Sequence, residues 1–256
     1  MAVKVSLDVV LPVLNEERGL ADSVGTLEAF LSRNMEAYAW RIVIADNGST
    51  DATPDVCRDL SAENDRVDFV RLEQRGRGRA LQLAWTQSQA DVVAYMDLDL
   101  STDLVALPLL VDAIASEGYE IAIGSRLKRG AQVIGRSPKR EVISRCYSLI
   151  FRTMFLTGFQ DAQCGFKAVS RRAVADVVPL VEDTGWFFDT ELLVLAEKNG
   201  YRVKEVPVKW NDDPDSRVKI VSTAVEDLKG LFRLRFGGLR KARRALAARN
   251  SSRSAD

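Results

Sequence analysis

Two aspartates, Asp97 and Asp99, stand directly after an apolar run in the segment YMDLDLSTD, Tyr95–Asp103. At the end of a buried strand, two carboxylates spaced this way both reach the crevice beyond it. A divalent cation relieves their mutual repulsion, and hard oxygen donors of this kind suit Mg²⁺ or Mn²⁺. Such an ion keeps several waters and bridges to substrate phosphates, so its natural companion is a nucleoside diphosphate. As a Lewis acid it would neutralise that diphosphate as it departs. An acidic turn with an aspartate as helix cap is the plainer alternative, and it suits Asp103 better than Asp97.

Three other segments carry related chemistry. QRGRGRAL (Gln74–Leu81) sets Gly76 and Gly78 among arginines, Arg77 between them, at a helix start. The glycines let backbone approach a ligand, and guanidinium with a helix N-terminus suits an anionic group. In ADNGSTD (Ala45–Asp51), Asp46 ends a strand and points a carboxylate into the same crevice, while Gly48 permits a tight turn. In LPVLNEE (Leu11–Glu17), Asn15 and Glu16 open a helix just past a strand, where amides and short polar side chains can bond a heterocycle. Alone, ADNGSTD reads equally well as an Asx-turn with a cap, and LPVLNEE reads better as helix capping. Neither a GxGxxG fingerprint nor a GxxxxGK[ST] phosphate loop is present.

The chain contains no histidine among its 256 residues. That excludes a Ser-His-Asp triad, a Cys-His dyad, an imidazole zinc site and a histidine proton shuttle. Catalysis must therefore run on carboxylates, cations, backbone dipoles or a metal held by oxygen. Cys57, Cys146 and Cys164 are odd in number and widely spaced, which predicts reduced thiols in a reducing compartment.

Strand–helix alternation positions these loops. Val5–Leu11, Arg41–Ala45, Val67–Leu72, Asp91–Met96 and Glu120–Ile123 read as strands. Glu16–Leu31, Ala52–Leu60, Arg79–Ser88 and Asp103–Ala115 carry apolar residues at helical spacing. Ser49 or Thr50 is a candidate cap for the second helix and Ser101 or Thr102 for the fourth. The pattern predicts an α/β fold, a mainly parallel Rossmann-like sheet flanked by helices, with ligands at the carboxyl ends of the strands. Later come an amphipathic segment at Val142–Phe159, helices near Arg171–Val178 and Asp189–Lys198, and a strand near Arg202–Val208. Residues 1–220 are expected as one domain, with a change of rhythm near residue 125 dividing it into two halves. Residues 221–256 are expected as a basic amphipathic helix running into a disordered tail.

Net charge is zero, yet Lys229–Arg253 holds nine bases and no acid, and Ser125–Arg152 holds eight bases against Glu141 alone. Two cationic segments in a neutral chain predict anionic partners at particular places rather than nucleic acid. The immediate entry into a strand predicts no signal peptide, and no apolar run reaches the ~18 residues of a membrane span. The Val142–Phe159 segment and the interleaved Leu228, Leu231, Phe232, Leu234 and Phe236 suit a membrane surface. For the first of these, a core helix is an equal reading.

LPVLNE, DNGSTD, RGRG and DLDLSTD, in that order and spacing, resemble the inverting glycosyltransferase family 2 with its GT-A fold. GSR (Gly124–Arg126), Arg140, Ser144, DAQCGFK (Asp161–Lys167), WFFDTE (Trp186–Glu191) and VKWNDDPDSRV (Val208–Val218) resemble its polyprenyl-phosphate branch, the dolichyl-phosphate glucosyltransferases above all. The resemblance implies that Pro12, Glu16 and Asp46 line a nucleoside pocket and that Asp97 and Asp99 hold metal and diphosphate. It implies that Arg126, Arg140 and Ser144 grip the acceptor's phosphate and that Arg217 closes over the donor phosphates. Asp215 departs from the glycine usual in that last motif. The implied reaction moves a hexosyl group, UDP-glucose favoured, to a polyprenyl phosphate at the cytoplasmic face of a membrane. An ionised phosphate acceptor needs no general base, in keeping with a chain that lacks histidine. GDP-mannose or a UDP-N-acetylhexosamine would fit the same loops. A hydroxyl acceptor would need a base, for which Asp189 or Glu191 is the candidate. A sugar-1-phosphate nucleotidyltransferase is disfavoured because LPVLNEE has no glycine. A non-catalytic binder is disfavoured by the retained metal ligands.

Overall fold

A computed structural model describes residues 4–212 and 220–253. All five strands expected in the first half form: β1 (Ser6–Val13), β2 (Ala39–Asn47), β3 (Val67–Leu72), β4 (Val92–Met96) and β5 (Ile121–Ser125). With β7 (Phe166–Ser170) and β8 (Val203–Pro207) they make a seven-stranded sheet in the order β3-β2-β1-β4-β7-β5-β8. Only β7 runs against its neighbours, β4 and β5. This strand was not expected. FKAVS is short, follows a turn-like segment, and pairs with β5 residues 44 to 48 positions back and β4 residues 70 to 78 positions back, so its strand character comes from a slot between β4 and β5. A separate two-stranded ribbon joins β6 (Gln132–Ile134) to β9 (Lys209–Asn211).

Alternation along the strands splits the core into two layers, because successive side chains leave a strand on opposite faces. Leu7, Val9, Leu11, Val13, Ile42 and Ile44 enter one layer; Val10, Val43, Ala45, Val93 and Tyr95 enter the other. The first layer is closed by α1 (Leu20–Asn34), through Leu20, Val24, Leu27 and Leu31, by α2 (Thr53–Glu63), and by α4 (Leu107–Ala115). The second is closed by α3 (Arg77–Gln87), α5 (Pro138–Phe155), α6 (Arg171–Val177) and α7 (Phe188–Lys198). Helix starts differ from expectation. Neither Ser49 nor Thr50 caps α2, whose first amide, Thr53 N, is bonded by Asp51 instead. Asp103, not Ser101 or Thr102, caps the short 3₁₀ turn before α4.

α5 packs into the core on one face only. Ser148, Phe151 and Phe155 are buried, whereas Val142, Leu149 and Leu156 stand exposed. The chain after 219 forms α8 (Ile220–Arg233), a π turn at Leu234–Gly238, and α9 (Leu239–Arg253). Leu231, Leu234, Ala242 and Leu246 join the second core layer, leaving Leu228, Phe232 and Phe236 outside. The stretch expected to be disordered is helical through Arg253, the end of the described chain. Among the described residues no helix is long and apolar enough to cross a membrane.

Candidate active site

The carboxyl ends of β1, β2, β4 and β5 share one edge of the sheet, and the loops leaving β1 and β2 are bonded to each other. Asn15 N donates to Ser49 Oγ at 2.9 Å, Asn15 Oδ1 accepts from Thr50 N at 2.8 Å, and Glu16 N donates to Thr53 Oγ1 at 2.8 Å. Asn15 adopts φ +56°, a left-handed geometry that asparagine tolerates, so this loop can turn back on the second. Pro12 lies one residue before Val13, the partner in register of Asp46. Asp46 is fully buried. Its Oδ1 accepts from Ser49 N at 3.0 Å, while its Oδ2 makes no hydrogen bond and has Arg71 Nε 3.7 Å away. A buried carboxylate oxygen without a donor is costly unless a ligand supplies one.

The third loop turns inward. Gly76 stands at φ +154°, where a Cβ would lie 2.7 Å from Thr184 O, and its amide donates to Asn47 Oδ1 at 2.6 Å. This turn aims Arg77, a side chain only 12% exposed, at two carboxylates: Asp97 Oδ1 at 2.5 Å and Asp189 Oδ2 at 2.9 Å. The guanidinium also lies 5.0 Å from the Tyr95 ring centroid and 5.1 Å from that of Trp186. Behind it, Lys167 is wholly buried, bonded to Cys164 O at 2.6 Å and paired with Asp189 Oδ1 at 3.0 Å, where Tyr95 OH also donates. Burial alone would raise the Asp189 carboxyl, but Lys167 and Arg77 outweigh it and hold the group below its ordinary value. Lys167 and Tyr95 were not singled out from sequence. A lysine in QCGFK and a tyrosine in a hydrophobic strand carry no local signal of an ion-pair network.

Glu191, the other candidate base, serves a different purpose. Arg233 of α8 binds it at 2.9 and 2.7 Å, and Asp183 N donates to it at 2.8 Å. This 1% exposed carboxylate therefore anchors the C-terminal helices.

Asp97 and Asp99 flank buried Leu98, and Leu100 turns the chain at φ +50°. Asp97 N donates to Gly165 O at 3.2 Å, and a Cβ at Gly165 would fall 1.8 Å from Asp97 Oδ2. Gly165 therefore makes the cradle in which the first carboxylate lies. Asp99 is exposed, and its Oδ1 accepts from Ser101 N at 2.9 Å. Among the described residues no cluster of three or more His, Cys, Asp or Glu could hold a metal. Two carboxylates fit a hard cation that draws the rest of its shell from diphosphate oxygens and water.

β9 ties this loop to the basic segment. Asp103 N donates to Lys209 O and Asn211 N to Ser101 O, both at 2.9 Å, which sets Trp210 beside the two aspartates' loop. Arg126 lies 5.4 Å and Arg136 5.8 Å from the Trp210 ring centroid. Arg126 is held by Asp161 through its Nε at 2.8 Å, its Nη2 at 3.0 Å and its backbone amide at 2.9 Å. Burial depresses Arg126, but Asp161 and other nearby groups, Asp97 included, raise it further. Arg140 pairs with Asp212, and Ser144 Oγ accepts from Arg136. The fold thus brings Arg126 to the Trp210 ring together with Arg136, which was not singled out from sequence; Arg136 in turn bonds Ser144, and Arg140 is tied to Asp212, two residues on from Trp210. Arg217 and Asp215 lie outside the described residues.

A parallel sheet broken by one antiparallel strand, with an Asp-x-Asp loop at its carboxyl edge, is the GT-A architecture. The sequence profile of glycosyl transferase family 2 matches residues 8–178, and the chain belongs to that family. A glycosyltransferase named AglD from Haloferax volcanii is 39% identical over 86% of this chain, although the match spans only 35% of AglD. The dolichyl-phosphate beta-glucosyltransferase of Saccharomyces cerevisiae is 27% identical over 92% of this chain and 76% of its own length. In fold, the chain resembles glucosyl-3-phosphoglycerate synthase from Mycobacterium tuberculosis, solved with Mn²⁺, UDP and phosphoglyceric acid. The TM-score is 0.68 at 18% identity, over 91% of this chain and 78% of that one.

Proposed function

We propose that this chain transfers one hexosyl group, with inversion, from a nucleotide-diphosphate sugar to the phosphate of a polyprenyl phosphate. UDP-glucose is the favoured donor. The carrying observation is the guanidinium cluster around Trp210, held by β9 against the loop of Asp97 and Asp99. It brings an anion site to the place where the donor's sugar must be met.

The buried Asp46, with Pro12, Asn15 and Glu16, faces the nucleoside. Arg77, with Gly76 at the start of α3, faces the diphosphate, and the family resemblance assigns Arg217 to the same group. Asp97 and Asp99 would hold Mg²⁺ or Mn²⁺, and the ion would supply positive charge for the leaving diphosphate. Arg126, Arg140 and Ser144 orient the acceptor phosphate for in-line attack. Asp189 is held anionic by Lys167 and Arg77, and all its donors are protein groups, so it is a poor proton acceptor. That supports an acceptor whose oxygen is already ionised. The exposed Leu149 and Leu156 of α5 and Leu228, Phe232 and Phe236 near α8 suit contact with the cytoplasmic surface of a membrane. Residues 1–125 then serve the donor and 126–220 the acceptor.

The test incubates the protein, Mg²⁺ or Mn²⁺ and polyprenyl phosphate with labelled nucleotide sugars and counts label in the organic phase. Transfer should vanish with EDTA and fall roughly 100-fold or more in Asp99→Ala. Label that reaches no lipid from any donor would discard the lipid acceptor, and transfer that survives in Asp99→Ala would discard the metal role.

A further inference from the structure

Three aromatic residues lead into α7, and the first of them stands in the open. Phe187 and Phe188 are 1% and 0% exposed, whereas Trp186 is 41% exposed. An indole offers a large apolar face, and it anchors a ligand well when the loop that carries it is already fixed.

The Trp186 loop is fixed from several sides. Thr184 O accepts from Arg79 N at 3.2 Å and lies 2.7 Å from where a Cβ on Gly76 would stand. Asp183 N donates to Glu191 Oε2 and Gly185 N to Asp183 Oδ1, both at 2.8 Å. A Cβ on Gly78 would fall 2.6 Å from Phe188 Cβ. The two glycines of the third loop thus admit the Trp186 loop and the start of α7 against the start of α3.

This packing sets the indole over Arg77. The guanidinium carbon lies 5.1 Å from the Trp186 centroid and 5.0 Å from that of Tyr95. Exposure rises from Tyr95, wholly buried, through Arg77 to Trp186, so the indole is the outermost part of this group. Arg77 also bonds Asp97 Oδ1. The sugar of a nucleotide-diphosphate donor is joined to the phosphate that Arg77 and Asp97 face, so it must rest against this part of the cleft. A hexose chair presents a face of C–H groups, and that face meets an aromatic face as the positive edge of another ring does.

We propose that Trp186 is the platform on which the donor's hexose lies, and that it sets how tightly a nucleotide sugar is held relative to its free nucleotide. It binds the sugar directly and moves no proton. This rests on the reading of the donor as a nucleotide-diphosphate sugar and adds the surface that receives the sugar.

The experiment titrates the full chain with UDP and with UDP-glucose by calorimetry, Mn²⁺ present, in wild type, Trp186→Phe and Trp186→Leu. Folding is checked by thermal unfolding. Loss of the aromatic face should weaken UDP-glucose by about 3- to 10-fold in Trp186→Leu and leave UDP within about twofold. Trp186→Phe, which keeps an aromatic face, should lie closer to wild type. In transfer assays donor KM should rise in parallel, with KM for polyprenyl phosphate unchanged. If the indole only shielded Arg77, UDP and UDP-glucose would weaken together, and the proposal would fall. Undiminished UDP-glucose binding in a folded Trp186→Leu would overturn it too. So would a raised KM for polyprenyl phosphate alone, the mark of an indole that meets the isoprenoid. Selective loss of GDP-mannose over GDP, in a protein that ignores UDP-glucose, would support Trp186 while refuting the favoured donor. A wild type that binds no nucleotide sugar would sink both.

Discussion

Asp227 on α8 offers a direct test of how the C-terminal helices are held. It is 3% exposed; one carboxylate oxygen accepts from Gln163 Nε2 at 2.5 Å, and the other has no partner. Burial, then the charges of Asp183, Glu226 and Asp189, push its carboxyl up from 3.8 to about 7, against the opposing effect of Gln163. Between those two values the folded chain keeps a proton that the unfolded chain releases. Stability from this group is therefore full below about pH 4 and is lost as pH rises towards 7. A shift of roughly 3 units corresponds to about 4 kcal/mol as a ceiling, and local relaxation brings the expected value nearer 2 kcal/mol. Asp227→Asn keeps an oxygen for Gln163 and removes the charge. Measured against wild type at each pH, so that all other titrations cancel, it should unfold at nearly the same temperature at pH 4. At pH 8 it should unfold roughly 5–10 °C higher. An advantage no larger at pH 8 than at pH 4 would refute a buried, charge-burdened carboxylate here.

Two further substitutions probe the site's supports. Arg233→Ala leaves Glu191 buried without its cation and should cost about 3–5 kcal/mol, read as a lowered Tm and earlier proteolysis within α8 and α9. Equal stability would show that these helices are held by their other contacts, Leu231, Leu234, Ala242 and Leu246 among them, and not by this ion pair. Gly165→Ala puts a methyl where the Asp97 carboxylate lies, so a folded variant should lose metal-dependent transfer by roughly 100-fold or more while UDP binding persists. Transfer retained at the wild-type rate would show that Asp97 can move without consequence.

Much of the fold was legible because its signals are local. The β-branched runs of β1 to β5 and the helical spacing of Leu20, Val24, Leu27 and Leu31 depend on neighbours a few positions away, as does the placing of Asp97 and Asp99 after β4. The absence of histidine is a property of composition and needed no structure at all. β7 was not legible, because FKAVS becomes a strand only by filling the slot between β4 and β5.

The same division runs through the site. Residue types and order pointed to two metal-ligating carboxylates, an arginine loop and a basic acceptor segment. Which carboxylate each arginine meets could only be decided in three dimensions. Arg126 meets Asp161 across 35 positions and Arg77 meets Asp189 across 112, so neither pairing has a sequence period to betray it. The strength of each pair depends on how much water the fold removes. Packing set Lys167 and Arg77 against Asp189, so that the candidate base is held as an anion, paired Glu191 with Arg233, and left Arg136 Nε buried without a hydrogen-bond partner. Charge is written in the sequence, but its partner and its dielectric surroundings are set by packing.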